Sequence, residues 1–265
     1  MLDITPIGSC RVVNPIKDSR ERLNFSMNRT RSYGYCHSAA EIVQAVKFIH
    51  GEIEIPDGIW PLVARGKDRN RITNENFRVA DGYVVEICSD KEVRLGDHFI
   101  QINYFKHEHK DFFSDPQRSA LYWEAIEEGQ ADAIEDLLEQ EWGGEENEAE
   151  RVLLNQVRIT RSSDTTLTQE LEFLTAKLPN LLVVTHVNAL KKDGQPIPTR
   201  SEHIERVKRV CNQLGIPSYD PTLRMREVGQ GRAIEGNSDS LAHFTPEFSR
   251  ILADDWVKFL RSTCA

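Results

Sequence analysis

Long apolar runs are missing from this 265-residue chain. A helix needs about 20 predominantly apolar residues to span a bilayer, so no membrane partner is expected. The N-terminus has no basic stretch leading into an apolar one, so no secretory leader is expected. Cysteine is sparse: Cys10, Cys36, Cys88, Cys211 and Cys264 are odd in number and form no CxxC pair. That argues against a disulfide framework and a structural zinc site, and it fits a reducing, cytoplasmic location. Positive charge is also short, with 33 Lys and Arg against 42 Asp and Glu and a net charge of -9. Such a surface repels phosphate backbones, so no nucleic-acid partner is expected. Neither a P-loop nor a GxGxxG fingerprint occurs, and nothing in the sequence calls for a cofactor or a metal. Internal repeats and low-complexity linkers are absent too. The length suits one domain over 1–265 with a substantial core.

What is present alternates between strand and helix. The run Leu2-Asp3-Ile4-Thr5-Pro6-Ile7 breaks at Gly8-Ser9-Cys10, and reads as a buried strand ending in a tight turn. Further strands are expected at 83–88, 181–185 and 216–220. Ser38 and Glu41 form a capping-box pattern ahead of a helix that Gly51 ends. Helices are also expected over 117–142, 146–160, 167–178, 201–214 and 246–260, the last entered through Thr245 and Pro246. Residues 92–104 read as a hairpin about Gly96-Asp97, and 17–35 as a long polar loop. The order implies a three-layer α/β/α fold with a mostly parallel central sheet. A hairpin and an acidic helical region at about 91–160 would be inserted in it.

In an open parallel sheet, ligands bind beyond the carboxyl ends of the strands. Two chemically useful segments fall there, and a third could fold back to the same edge. Ser9 follows the first strand, His186 and Asn188 follow the third, and His243 precedes the last helix. Ser9 is a candidate nucleophile if His243 serves as base. Asn188 and the backbone N–H groups near Ser9 are candidate oxyanion donors, and Asp239 is the nearest acid able to orient His243. Cys10 is a competing nucleophile, and Cys10, Ser89 and His186 are candidate substrate contacts. Each has a plainer reading: Ser9 as a turn residue, Asn188 as a turn brace, His186 and His243 as hydrogen-bonded structural histidines. Tyr33, Tyr35 and His37 could face a substrate or simply pack. His107 and His109 would share a face if they lay on a strand, which invites a metal; a solvated charged loop explains them more simply.

These segments resemble the SGNH (GDSL-type) hydrolase superfamily, and Gly8-Ser9-Cys10 is similar to its GSCFA-like branch. The resemblance implies an SGNH or flavodoxin-like sheet, with Ser9 as nucleophile, Asn188 as oxyanion donor and His243 as base. It also implies a serine-type ester hydrolase or O-acyltransferase acting on an acylated small molecule or carbohydrate. The sequence departs from the family pattern at Ser240, where an Asp three residues before the histidine is expected. It also lacks the glycine of that pattern after the second strand, and Ser89 stands nearest in position. These departures carry the alternative, a catalytically inactive SGNH-like module that binds a ligand or partner in a biosynthetic pathway.

Overall fold

The computed structural model describes residues 1–27, 34–66, 78–236 and 241–264. The chain opens with β1 (Ile4–Ile7), α1 (Cys10–Ser19), α2 (Ala39–Ile49), α3 (Trp60–Ala64) and β2 (Gly82–Ile87). Next come β3 (Lys91–Leu95), β4 (His98–Phe99), α4 (Ile102–Glu108), α5 (Lys110–Phe113), α6 (Pro116–Glu128), α7 (Ala131–Trp142), α8 (Glu148–Gln156) and β5 (Val157–Arg161). The rest comprises α9 (Asp164–Lys177), β6 (Leu181–Thr185), α10 (Pro198–Gln213), β7 (Ser218–Tyr219), α11 (Pro221–Val228), α12 (Gln230–Ala233) and α13 (Pro246–Thr263). No helix among the described residues is long and apolar enough to cross a membrane.

The main sheet has the order β1-β2-β6-β7, and every neighbouring pair is parallel. Helices cover both faces, which makes this the expected α/β/α arrangement. Alternation along each strand divides the core. Tyr83, Val85 and Ile87 of β2 pack with Ile42 and Val46 of α2 and Leu171 of α9. Val84, between them, joins Val12 and Ile16 of α1 and Leu252 and Trp256 of α13. The next residue on that second face is Glu86, so the pleat turns a carboxylate towards α1. The helix α13 packs along α1 and ends where Cys264 Sγ lies 3.3 Å from the Asp81 carbonyl, just before β2. Its start therefore lies at the opposite, carboxyl edge of the sheet.

Between β2 and β6 the chain builds a second, antiparallel sheet of order β4-β3-β5. Helices α4 to α8 extend it around an aromatic cluster that includes Phe105, Phe112, Phe113, Tyr122, Trp123 and Trp142. Several expectations are corrected here. The hairpin ends at Phe99, and 102–108 is helical, because the Gln101 side chain caps α4 by accepting from the N–H groups of Asn103 and Tyr104. The single helix expected over 117–142 is two, parted at Gly129, whose φ of 70° ends α6 in the left-handed region. The helix expected over 146–160 stops at Gln156, and Val157–Arg161 is β5 instead. The loop expected from Lys17 begins only after Ser19, because α1 runs through Pro15.

The capping box forms as expected. Ser38 Oγ accepts the Glu41 N–H at 3.2 Å, and Glu41 Oε2 accepts the His37 N–H at 3.1 Å. Burial pushes the Glu41 carboxyl up to about 8, and burial does the same to Glu170, whose Oε2 is buried without a hydrogen-bond partner among the described residues. A raised folded value means that the native state holds protons the unfolded chain has released. Stability from these groups is therefore complete below about pH 4.5 and declines as pH rises towards 8. Burial lowers His37 to about 4 and also lowers His203, so their opposite contribution is complete by about pH 6.5. Among these four groups, only the glutamates change between pH 6.5 and 8. Urea denaturation is expected to show stability falling across that window, with a shallower fall in Glu170→Gln.

Candidate active site at the carboxyl edge of the sheet

The turn after β1 is an elbow built by three consecutive residues. Gly8 adopts φ +150°, and a Cβ there would stand 2.7 Å from the Glu86 Cβ. Only glycine lets β1 approach β2 so closely while turning into α1. Gly8→Ala is expected to cost well over about 1 kcal/mol of stability, read as a lowered urea midpoint. Ser9 is the N-cap of α1, and its Oγ accepts the Arg11 N–H at 3.2 Å. It is buried, with 3% exposure. Cys10 is the first helical residue and is only partly buried.

Glu86 holds this elbow from below. Its side chain is 1% exposed. One oxygen, Oε2, accepts the Ser9 N–H at 3.0 Å, and Oε1 accepts from Arg11 Nε at 2.6 Å. Burial works against the Arg11 charge, but Glu86, helped by Cys88 and Cys10, lifts the guanidinium above its usual value. Burial also raises the Cys10 thiol, an effect that Arg11 opposes and Glu86 adds to. Cys88 and Cys36 are pushed up more strongly by burial.

His37 approaches the same edge from the segment before α2. Its carbonyl accepts the N–H groups of Cys88 and Ser89 at 2.9 and 3.0 Å, which ties it to the end of β2. Its ring lies 3.2 Å from Gln101 Nε2. Burial, only partly offset by Glu86, keeps the imidazole neutral near pH 7. The preceding residue ties this segment to the elbow, the Cys36 N–H donating to the Gly8 carbonyl at 3.1 Å.

The other expected site residues fall as follows. Asn188 stands after β6, and its carboxamide is fully engaged. Nδ2 donates to the Ile197 carbonyl at 3.0 Å and to Ser201 Oγ at 2.8 Å, while Oδ1 accepts the Ile197 N–H at 3.0 Å. It clips the start of α10 to the end of β6, and could serve an oxyanion only by releasing one of these bonds. The Ser89 N–H is likewise engaged by the His37 carbonyl. His186 is buried, and its Nδ1 donates to the Val187 carbonyl at 2.5 Å. His243 is exposed, and its carbonyl accepts the Glu235 N–H at 2.9 Å. Two residues earlier the Leu241 carbonyl accepts from Arg200 Nη1 at 3.5 Å, which places this segment by the start of α10. No hydrogen bond joins it to Ser9 among the described residues. Asp239, Ser240 and Tyr33 lie outside the described residues. The Tyr35 N–H donates to the Tyr104 hydroxyl at 2.9 Å.

The metal reading of His107 and His109 does not hold. Residues two apart on a helical segment diverge, and each ring has its own neighbour: Arg65 for His107 and Glu150 for His109. Among the described residues, no group of three or more His, Cys, Asp or Glu could hold a metal ion. The residues that sequence reasoning passed over are Glu86 and Arg11. Glu86 had a signal, as a lone acid inside an otherwise apolar strand.

Residues 2–259 match the family described as the TviD N-terminal domain. A curated relative, the Vi polysaccharide biosynthesis protein TviD of Salmonella typhi, is 32% identical over 252 residues. The alignment covers 94% of this chain and 30% of the relative, so the chain spans under a third of that protein's length.

Proposed function

Since the chain belongs to the TviD N-terminal domain family, we propose that it acylates or deacylates a carbohydrate during biosynthesis, as an SGNH-like O-acyltransferase or ester hydrolase. The relative's name supplies the link to a polysaccharide. The observation that carries the reaction type is the Gly8-Ser9-Cys10 elbow at the carboxyl end of a parallel strand, braced by the buried Glu86. Five free cysteines fit a cytoplasmic site of action.

Of the two candidate nucleophiles, Cys10 has the better position. Ser9 Oγ is buried and caps its own helix, whereas Cys10 is partly open and sits on the first turn of α1. Burial raises the thiol despite its place at a helix N-terminus. The raised thiol needs a base, and His37 is a neutral imidazole in the same surroundings. In this reading His37 takes the Sγ proton and the sulfur attacks the carbonyl carbon of an acyl ester or thioester. The donor's alcohol or thiol departs with the proton from His37. A sugar hydroxyl then attacks the acyl-enzyme and passes its own proton to His37. Its new C–O bond replaces the C–S bond, and Cys10 is reprotonated. Water in place of the sugar gives hydrolysis. The N–H of Cys10, an orphan donor of the first helical turn, is suited to the oxyanion.

A second reading keeps Ser9 as nucleophile and His243 as base, with Asp239 or no acid behind it. It is favoured by the position of His243 just before α13, a helix that packs along α1. Brief exposure to p-nitrophenyl acetate, followed by mass spectrometry of the modified peptide, tests both readings. Acetyl on Cys10, lost in His37→Gln, is the expected result. Acetyl on Ser9, lost in His243→Gln, would replace it with the second reading. No acetyl-enzyme and no turnover, in protein with native circular dichroism, would overturn both and leave a binding module.

A further inference from the structure

The helices α2 and α9 pack on each other, and together they line a cavity of about 350 Å³, a size common for small-molecule sites. From α2 come Val43, Gln44 and Lys47; from α9 come Gln169, Glu170 and Phe173. Within each set the residues are three and four apart, so each set is one helix face. The β3–β4 hairpin adds Asp97 and Phe99.

These walls are tied together without a ligand. The Gln44 carboxamide bonds the Phe99 backbone twice, Nε2 donating to the carbonyl at 2.7 Å and Oε1 accepting the N–H at 2.8 Å. That pair of bonds fixes the hairpin on α2. The rings of Phe99 and Phe173 give the cavity apolar surface, and polar groups stand beside them. Glu170 Oε2 is buried without a hydrogen-bond partner among the described residues. Burial, reinforced by Glu92, raises this carboxyl to about 8, so near pH 7 it is protonated and able to donate. A buried polar atom left unpaired is costly, and a ligand that bonds it recovers that cost. Two lysines face the Phe173 ring. Lys177, 5.7 Å from its centre, is paired with Glu52 at 2.5 Å. Lys47, at 5.4 Å, has no carboxylate at ion-pair distance among the described residues. A purely apolar ligand would leave both Glu170 and Lys47 unanswered. A pyranose answers them, because its C–H face is apolar and its hydroxyls lie around the rim.

We propose that this cavity is a carbohydrate subsite, apart from the elbow, that holds one sugar residue of the substrate while another is acylated or deacylated. The proposal rests on the carbohydrate reading of the function and not on the choice of nucleophile. The middle of the cavity, near Val43 and Gln44, lies about 8 Å along the helix axis from the Ser38 cap, and the segment leading into that cap borders the elbow through Cys36. A subsite at that remove serves a substrate of several sugars.

NMR of the phenylalanine rings in the full chain, titrated with N-acetylglucosamine and with glucuronate, tests the subsite. The Phe99 and Phe173 signals are expected to move and to saturate with at least one of the two sugars. Gln169→Trp, at an exposed position on the rim, should fill the cavity and weaken binding by about tenfold or more. Glu170→Ala should weaken it by about three- to tenfold, the loss of one hydrogen bond, and Glu170→Gln by less because its amide still donates. Tighter binding of glucuronate assigns Lys47 to a sugar carboxylate; equal binding, or preference for N-acetylglucosamine, assigns the site to the ring and its hydroxyls. Unmoved Phe99 and Phe173 signals with both sugars would overturn the proposal, as would full affinity in a natively folded Gln169→Trp. Shifts confined to His37 and the elbow would overturn the subsite and leave the carbohydrate reading standing. Saturable shifts at both phenylalanines need no turnover, so they keep the subsite even where the elbow forms no acyl-enzyme.

Discussion

Glu86→Ala is expected to destabilise the protein by about 3–5 kcal/mol, the usual cost of removing one partner from a buried ion pair. The side chains of Glu86 and Arg11 are 1% and 13% exposed, so water cannot replace the lost carboxylate. The substitution leaves the Arg11 guanidinium without its charge partner and the Ser9 N–H without its acceptor. Glu86→Gln should cost less, because its carbonyl can still take the Ser9 N–H, but it cannot neutralise Arg11. Replacing both partners, as Glu86→Leu with Arg11→Met, should recover much of the loss, because neither charge is then stranded. Urea denaturation of the parent, Glu86→Leu, Arg11→Met and the double variant forms a double-mutant cycle. A Glu86→Ala protein within about 1 kcal/mol of the parent would show that the pair is not what holds the elbow.

This pair also marks how far the sequence can be read. The strands β1, β2 and β6 are legible because strands covered on both faces need nearly unbroken apolar runs. The α/β/α order and the carboxyl edge follow from them. Glu86 interrupts such a run and looks like an imperfection; its partner Arg11 lies 75 residues earlier, and no local pattern joins them. The helix α1 is hidden for a different reason. Pro15 has no N–H for a helical bond and is ordinarily read as a breaker. Here Val12, Pro15, Ile16 and Ser19 form one buried face, so tertiary packing outweighs the local preference. The strand β5 is masked by the helical pattern ahead of it, and its identity comes from pairing with β3, from Lys91↔Arg161 to Leu95↔Val157. Asn188 was legible as an important polar residue at a strand end. Its task was not, because the Ile197 and Ser201 groups that engage it belong to a helix start whose placement only the fold supplies.

Exchanging the two elbow side chains separately is expected to split stability from chemistry. Cys10→Ala should remove the acyl-enzyme and lower p-nitrophenyl acetate turnover by about 10⁴-fold or more, as loss of a nucleophile does. Its fold should persist, since Cys10 is only partly buried and makes no cap. Ser9→Ala should behave in the opposite way. It removes the oxygen that accepts the Arg11 N–H, at a cost of about 0.5–2 kcal/mol for a lost N-cap. Its turnover should fall far less, and only as the elbow loosens. Cys10→Ser then separates nucleophile from position. A hydroxyl in place of the thiol keeps the geometry but raises the proton affinity that His37 must overcome, so activity should drop steeply while acetylation, where any remains, stays at residue 10. Should Ser9→Ala abolish turnover in a stable protein while Cys10→Ala retains it, the nucleophile is Ser9. Its cap bond would then have to open for each turnover, with His243 rather than His37 the base to pursue.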